Sequence, residues 1–321
     1  MQRVLVAHAN AHAAFSLELK TMSVVTIPSP FIHGRPPTWA SGYGQDQYGY
    51  FAEFSIVTGP HYWQFITQRM RWIPAGSFTM GSHETEDGHS EDETQHDVTL
   101  TRGFWLADTA CTQAVWNAIT GANPSEFKSD EVFSAELPVE TVSFDDVQKF
   151  LTQLNERLGH GSLFSLPTEA QWEYACRAGT DTPFSFGETI STDQANFDGK
   201  GEYREKTVAV KSLPCNLWGL YQMHGNVWEW CADWYSDYLL DDLTDPQGPD
   251  SGSSRVVRGG GWFVSARDVR SACRSRFVPG FRSHDLGFRV LSSASPGPVA
   301  ERVSGSRRIP RDEAEENQRT K

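Results

Sequence analysis

The sequence predicts an α+β fold of small mixed sheets, few helices and much ordered coil. Three observations predict it. Eleven tryptophans and 27 glycines among 321 residues describe a loop-rich globule with aromatic anchors, not a helical bundle. Only three stretches combine a cap with helical spacing, and residues 46–73 alternate in strand fashion. The chain is organised around residues 219–234, where Trp228, Trp230 and Trp234 bracket Glu229, with Asn226 just before them. Large rings seek burial, and a carboxylate wedged between them needs a partner. Gly219 and Gly225 supply sharp turns. The expected object is an irregular aromatic hub pinned from inside by Glu229 and Asn226.

Residues 1–45 read as an extended arm, weakly apolar and then punctuated by Pro28, Pro30, Pro36 and Pro37. Residues 46–292 read as one domain. Its first strands hold Tyr48, Tyr50, Phe51, Phe54 and Ile56, then Tyr62, Phe65, Trp72 and Ile73. Residues 83–97 carry His83, His89 and His96 among seven carboxylates. Their spacing is irregular for a cation site, so a solvated, flexible loop is expected.

Strands follow near 98–100 and 104–107. Thr112 caps a helix over 113–120 that Gly121 ends. A second helix spans about 145–158, its core face Val147, Phe150, Leu151 and Leu154. The third begins after Thr168, with Gln171 at the capping-box position. Residues 177–215 show little period, and such long irregular stretches are usually functional or metal-stapled. Residues 255–262 form a strand running into Gly259, Gly260 and Gly261, and 287–290 form a last strand. Residues 293–321 have almost nothing apolar and read as a disordered tail.

Net charge of −13 argues against a nucleic-acid-binding face. No run of 18 apolar residues exists, so no membrane insertion is expected. The first residues, broken by His8, Asn10 and His12, make a poor signal peptide. Five cysteines, an odd number without a Cys-x-x-Cys pair, suit reduced thiols and a cytoplasmic location.

Four stretches together resemble the formylglycine-generating enzyme (sulfatase-modifying factor) family. They are residues 78–82 (Phe-Thr-Met-Gly-Ser), 166–179 (Leu-Pro-Thr-Glu-Ala-Gln-Trp-Glu-Tyr-Ala-Cys-Arg-Ala-Gly), 219–234, and 258–262 (Arg-Gly-Gly-Gly-Trp) with a terminal Gly287-Phe-Arg289. The resemblance covers about 70–290 and implies that family's variant of the C-type lectin fold. Its enzymes oxidise a substrate cysteine with two copper-binding cysteines placed just after the glycine-rich strand. Here those positions fall near Val264 and near Asp268 or Val269, and only Cys273 remains, farther on. Gly261 also replaces the family's serine. A single thiol cannot make the pair, so no catalytic residue and no copper are expected, with an oxidase that rearranged its site as the alternative. An iron sulfoxide synthase fits less well, because such enzymes place their histidine ligands on a helical domain that precedes this one, and residues 1–70 are too short and strand-like for it.

The segment 258–290 is similar to the variable regions of diversity-generating retroelement proteins, which share this fold. Between fixed-looking Arg, Ala and Gly residues lie Phe263, Val264, Ser265, Asp268, Cys273, Ser275, Phe277, Val278, Phe281, Ser283, His284 and Asp285. This mixture has no amphipathic period, and exposed Phe263, Phe277 and Phe281 would make a contact patch. The resemblance implies a ligand-binding surface over 263–285 for a protein or other macromolecule. The plainer reading is an ordinary family loop. Arg270, Arg274 and Arg276 are expected to hold the frame by pairing with buried acids such as Glu229. The family's calcium sites map onto Asn196 with the backbone of Phe197, and onto Gln222, Gly225, Val227 and Glu229. Structural calcium at the second set, or Glu229 paired with an arginine, are the two readings there.

Overall fold

A computed structural model describes residues 29–31, 35–58, 65–128, 135–159, 163–199, 204–238 and 241–293. The expected tail over 293–321 lies, but for its first residue, outside the described residues. Strands β1 (Gly42–Asp46), β2 (Gly49–Val57) and β3 (Phe65–Ile73) open the fold as an antiparallel meander. The domain therefore starts before residue 46: β1 lies inside the expected arm, and Trp39 is in the core. Strands β4 (Gly76–Met80), β5 (His96–Leu100) and β6 (Phe104–Ala107) follow.

The three helices form where their caps place them. In α1 (Gln113–Thr120) the Thr112 hydroxyl accepts the Val115 N–H, and Gly121 ends the helix at φ 75°. Helix α2 (Phe144–Leu158) starts from a capping box between Ser143 and Asp146. Its Val147, Phe150, Leu151 and Leu154 are all in the core, each contributing about 1.5–3 kcal/mol by burial. After β7 (Phe164–Ser165), α3 (Glu169–Arg177) opens on the Thr168–Gln171 capping box.

The remaining strands are β8 (Trp228–Trp234), β9 (Leu243–Thr244), β10 (Arg255–Arg258), β11 (Arg274–Phe277), β12 (Leu286–Gly287) and β13 (Leu291–Ser292). Among the described residues three sheets result, with orders β1-β2-β3-β6-β13-β7, β11-β10-β8-β12 and β4-β5-β9. Of the expected strand over 287–290, Gly287 ends β12 and 288–290 connect it to β13. The tryptophan hub is irregular, as expected, over 219–227, but its second half is not. It is β8, hydrogen-bonded on both edges and buried on both faces. Trp230 faces α2 and donates to the Val142 carbonyl at 3.0 Å, while Glu229 points the other way, to Trp172 of α3.

Candidate ligand-binding surface

Residues 259–290 are held by four arginines, each on one or two acids, with Glu169 shared by two of them. Arg289 makes two contacts to Glu229 (Nε–Oε2 2.7 Å, Nη2–Oε1 2.8 Å), and Trp172 Nε1 donates to Oε2 at 2.8 Å. Arg274 grips Glu169 at 2.7 and 2.9 Å. Arg258, fully buried, bonds Glu173 and also reaches Glu169 at 3.2 Å. Arg270 holds Glu93 at 2.7 and 2.8 Å and Glu86 at 2.6 Å. Arg270 and Arg274 thus pair with buried acids as expected, but not with Glu229. Arg276 pairs with none of these acids; it is exposed and lies over the Tyr235 ring at 4.2 Å.

The Arg270 pairing overturns the expected solvated loop over 83–97. Glu93 is buried, Ser82 donates to it at 2.6 Å, and its backbone pairs with Ser82. Asp92 accepts from Tyr235. The loop is bolted to the frame.

The chain leaves β10 through Gly259 and Gly260, both at positive φ (93° and 80°), which glycine adopts freely. A side-chain carbon at Gly261 would sit 2.4 Å from an Asp285 oxygen, which accounts for glycine where the family has serine. Beyond this turn, Phe263 (41% exposed), Val278 (56%) and Phe281 (39%) face solvent, as does Ser265. Phe263 stacks on His284 with centroids 5.6 Å apart, above Trp262. Phe281 stacks on Phe277 at 4.4 Å, and Phe277 leans edge-on against Trp230. Phe277 is therefore half-buried against the core, not fully exposed.

Val264, Asp268, Ser275, Ser283 and His284 are also half-buried. Asp268 accepts from the Ser265 hydroxyl at 2.7 Å and caps the turn Ala266–Val269. Two predicted surface residues are buried instead. Cys273 packs into the main core as the chain turns into β11, and burial pushes its thiol up to about 12. Asp285 lies under the glycine turn, its carbonyl accepting the Trp228 N–H and its carboxylate the Ser283 hydroxyl. Burial raises that carboxyl too.

The predicted calcium residues come together only in part. Gly225 pairs with Asn196 in a short parallel bridge, and Asn226 is tied to Asn196 through backbone and side chain. Asn196 Oδ1 is buried without a hydrogen-bond partner. Gln222, however, donates to the Ala209 carbonyl, and the Val227 N–H donates to the Gly225 carbonyl. Glu229 spends both oxygens on Arg289 and Trp172. A guanidinium already supplies the positive charge there, so these residues do not fit a calcium ion held by Glu229.

Residues 62–294 match the sulfatase-modifying factor enzyme 1-like domain. The chain belongs to this family. It is 33% identical over 199 residues to the formylglycine-generating enzyme of Streptomyces coelicolor, covering 56% of this chain and 61% of that one. It is 43% identical over 129 residues to the serine/threonine-protein kinase pkn1 of Chlamydia caviae, covering 39% and 20% respectively. The chain thus spans less than two thirds of the length of these relatives. Among solved structures it resembles Treponema denticola variable protein 1 (TM-score 0.65, 28% identity, 75% of this chain and 99% of that one). It also resembles PvdO from Pseudomonas aeruginosa (TM-score 0.61, 28% identity, 70% and 94%).

Within this sulfatase-modifying factor fold, the family's thiol pair was expected near Val264 and near Asp268 or Val269, and none of the three is a cysteine. Val269 is fully buried in a small cluster with Phe184, Ala195 and Phe197, and Val264 and Ile190 pack against it. The valines were legible in the sequence; that they share one cluster with Phe184, Ala195 and Phe197, far upstream, was not. Among the described residues no helix is long and apolar enough to cross a membrane.

Proposed function

We propose that the chain is a non-catalytic ligand-binding protein whose contact surface is the 263–285 segment, of the kind that diversity-generating retroelements vary. Its partner is a protein or another macromolecule. The observation that carries this reading is the division of labour within the segment. Fixed residues (Arg270, Arg274, Val269) are buried and bonded, while Phe263, Val278 and Phe281 stand outside on that frame. Exposed aromatics on a rigid support are the residue type that carries binding energy. The likeness to Treponema denticola variable protein 1 supports it.

The test is panning a displayed peptide library against the full chain. Binders selected on the wild type are expected to lose at least tenfold in affinity when Phe263 and Phe281 become Ser. Binders indifferent to both substitutions would place the contact surface elsewhere.

A second reading, an oxidase acting on a protein cysteine, draws on the identity to formylglycine-generating enzymes. It needs a thiolate pair for copper, and the segment offers only Cys273, buried and hard to ionise. Copper-supplied, aerobic incubation with a Cys-x-Pro-x-Arg peptide is expected to leave the cysteine unchanged. Turnover lost on Cys273→Ser would establish the oxidase.

A further inference from the structure

A second concave site lies away from the exposed aromatics, between α3, the end of β8 and the turn over residues 246–249. It is a cavity of about 490 Å³, within the range of small-molecule sites. Met80, Ala170, Trp234, Leu243, Pro246 and Pro249 give it apolar walls. At its inner end is Asp233 of β8, 5% exposed.

The polar groups of this cavity are unevenly satisfied. Several donors bond elsewhere: Tyr238 Oη to Glu169 at 3.0 Å, His96 Nδ1 to the Thr94 carbonyl at 3.0 Å, and Arg274 to Glu169. Glu169 is ion-paired with Arg258 and Arg274. Arg255 lies over the Trp234 ring at 3.5 Å and donates to the Ala232 carbonyl. Asp233 accepts the Glu169 N–H at 2.8 Å and its own backbone N–H, and is in no ion pair among the described residues. A buried carboxylate has about four lone-pair sites, so acceptor capacity remains without a donor to fill it.

We propose that this cavity binds a small organic ammonium ion, its apolar body against Trp234, Leu243 and the two prolines and its charged nitrogen on Asp233. An incoming molecule must bring both the donors and the positive charge. An anion would meet Asp233 inside and Asp237, exposed, at the rim. A neutral apolar molecule would leave the carboxylate unpaired.

Protonation gives the site a signature. Burial, and then the negative charge of Glu169, push the Asp233 carboxyl up to about 7. The groups facing it are Glu169 on α3, Arg274 on β11, Arg255 on β10 and Cys231 on its own strand, with His96 and Asp237 lining the same cavity. An ammonium selects the ionised carboxylate, so affinity rises as pH passes through 7. Between pH 6 and pH 8 the ionised fraction, and with it the apparent affinity, increases about tenfold.

The probe is 2-phenylethylammonium, which stays charged over this range, titrated calorimetrically into the full chain. Saturable binding about tenfold tighter at pH 8 than at pH 6 is expected. So is binding at least tenfold weaker for 2-phenylethanol, the neutral analogue. Asp233→Asn keeps an acceptor for the Glu169 N–H and should abolish both the binding and its pH dependence. Equal binding of the alcohol, unchanged binding by Asp233→Asn, or no saturable binding at either pH would overturn the proposal. If the variant does not fold, the wild type's preference for the ammonium over the alcohol decides alone. None of these outcomes depends on the 263–285 surface.

Discussion

Arg289→Met is expected to destabilise the chain by about 3–5 kcal/mol, read as a lower urea midpoint at unchanged slope. The physical reason is the isolation of Arg289 and Glu229. Both are essentially inaccessible to water, and Arg289 is the one guanidinium on that carboxylate. Removing it leaves a buried charge with a single indole N–H as partner. Adding Glu229→Gln should recover much of the loss, because the orphaned charge disappears with it. A loss below about 1 kcal/mol would mean that the pair sits in water and not in the core. The same pair explains why β8 carries an acid between two tryptophans: Glu229 joins β8, α3 and the last turn of the chain at one point.

Arg270→Ala should cost on the order of 3 kcal/mol, and its effect should be local in character. Arg270 joins the 263–285 segment to the acidic loop through Glu86, Glu93 and the Gly88 carbonyl. Without it Glu86, Glu93 and the carbonyls of Gly88 and Arg267 each lose a donor, and Glu93 and Glu86 repel. Amide exchange at Ser82, His89 and Glu93, each bonded within the loop, should accelerate by tenfold or more, while the amides of β2 and β3 keep their protection. Uniform acceleration through the chain would show that Arg270 supports the whole core and not this loop.

The helices were legible because their signals are local. Thr112, Ser143 and Thr168 bond groups three residues away, so sequence spacing alone locates them. The acidic loop was not, because its partner Arg270 lies 177 positions from Glu93 and nothing in residues 83–97 announces it. The strand β8 was misread for another reason. With both faces buried it lacks the alternation that marks a half-exposed strand, so three tryptophans around an acid looked irregular. Within 263–285 the residue types alone could not separate inside from outside. Cys273 and Asp285 look as exchangeable as Ser265 or Phe281, yet Cys273 packs into the main core and Asp285 lies under Gly261. The cavity beside Asp233 had no sequence signal, since its walls come from β4, α3, β8 and the turn over 246–249.

A frame that tolerates any outer side chain should be indifferent to losing three of them. The decisive measurement is thermal unfolding of the chain carrying Phe263→Ser, Val278→Ser and Phe281→Ser together. These positions are 41%, 56% and 39% exposed, and surface changes of this kind usually stay within about 0.5 kcal/mol each. The melting temperature is expected to stay within about 4 °C of the wild type. A fall several times larger would make these side chains part of the core and contradict a freely variable binding surface.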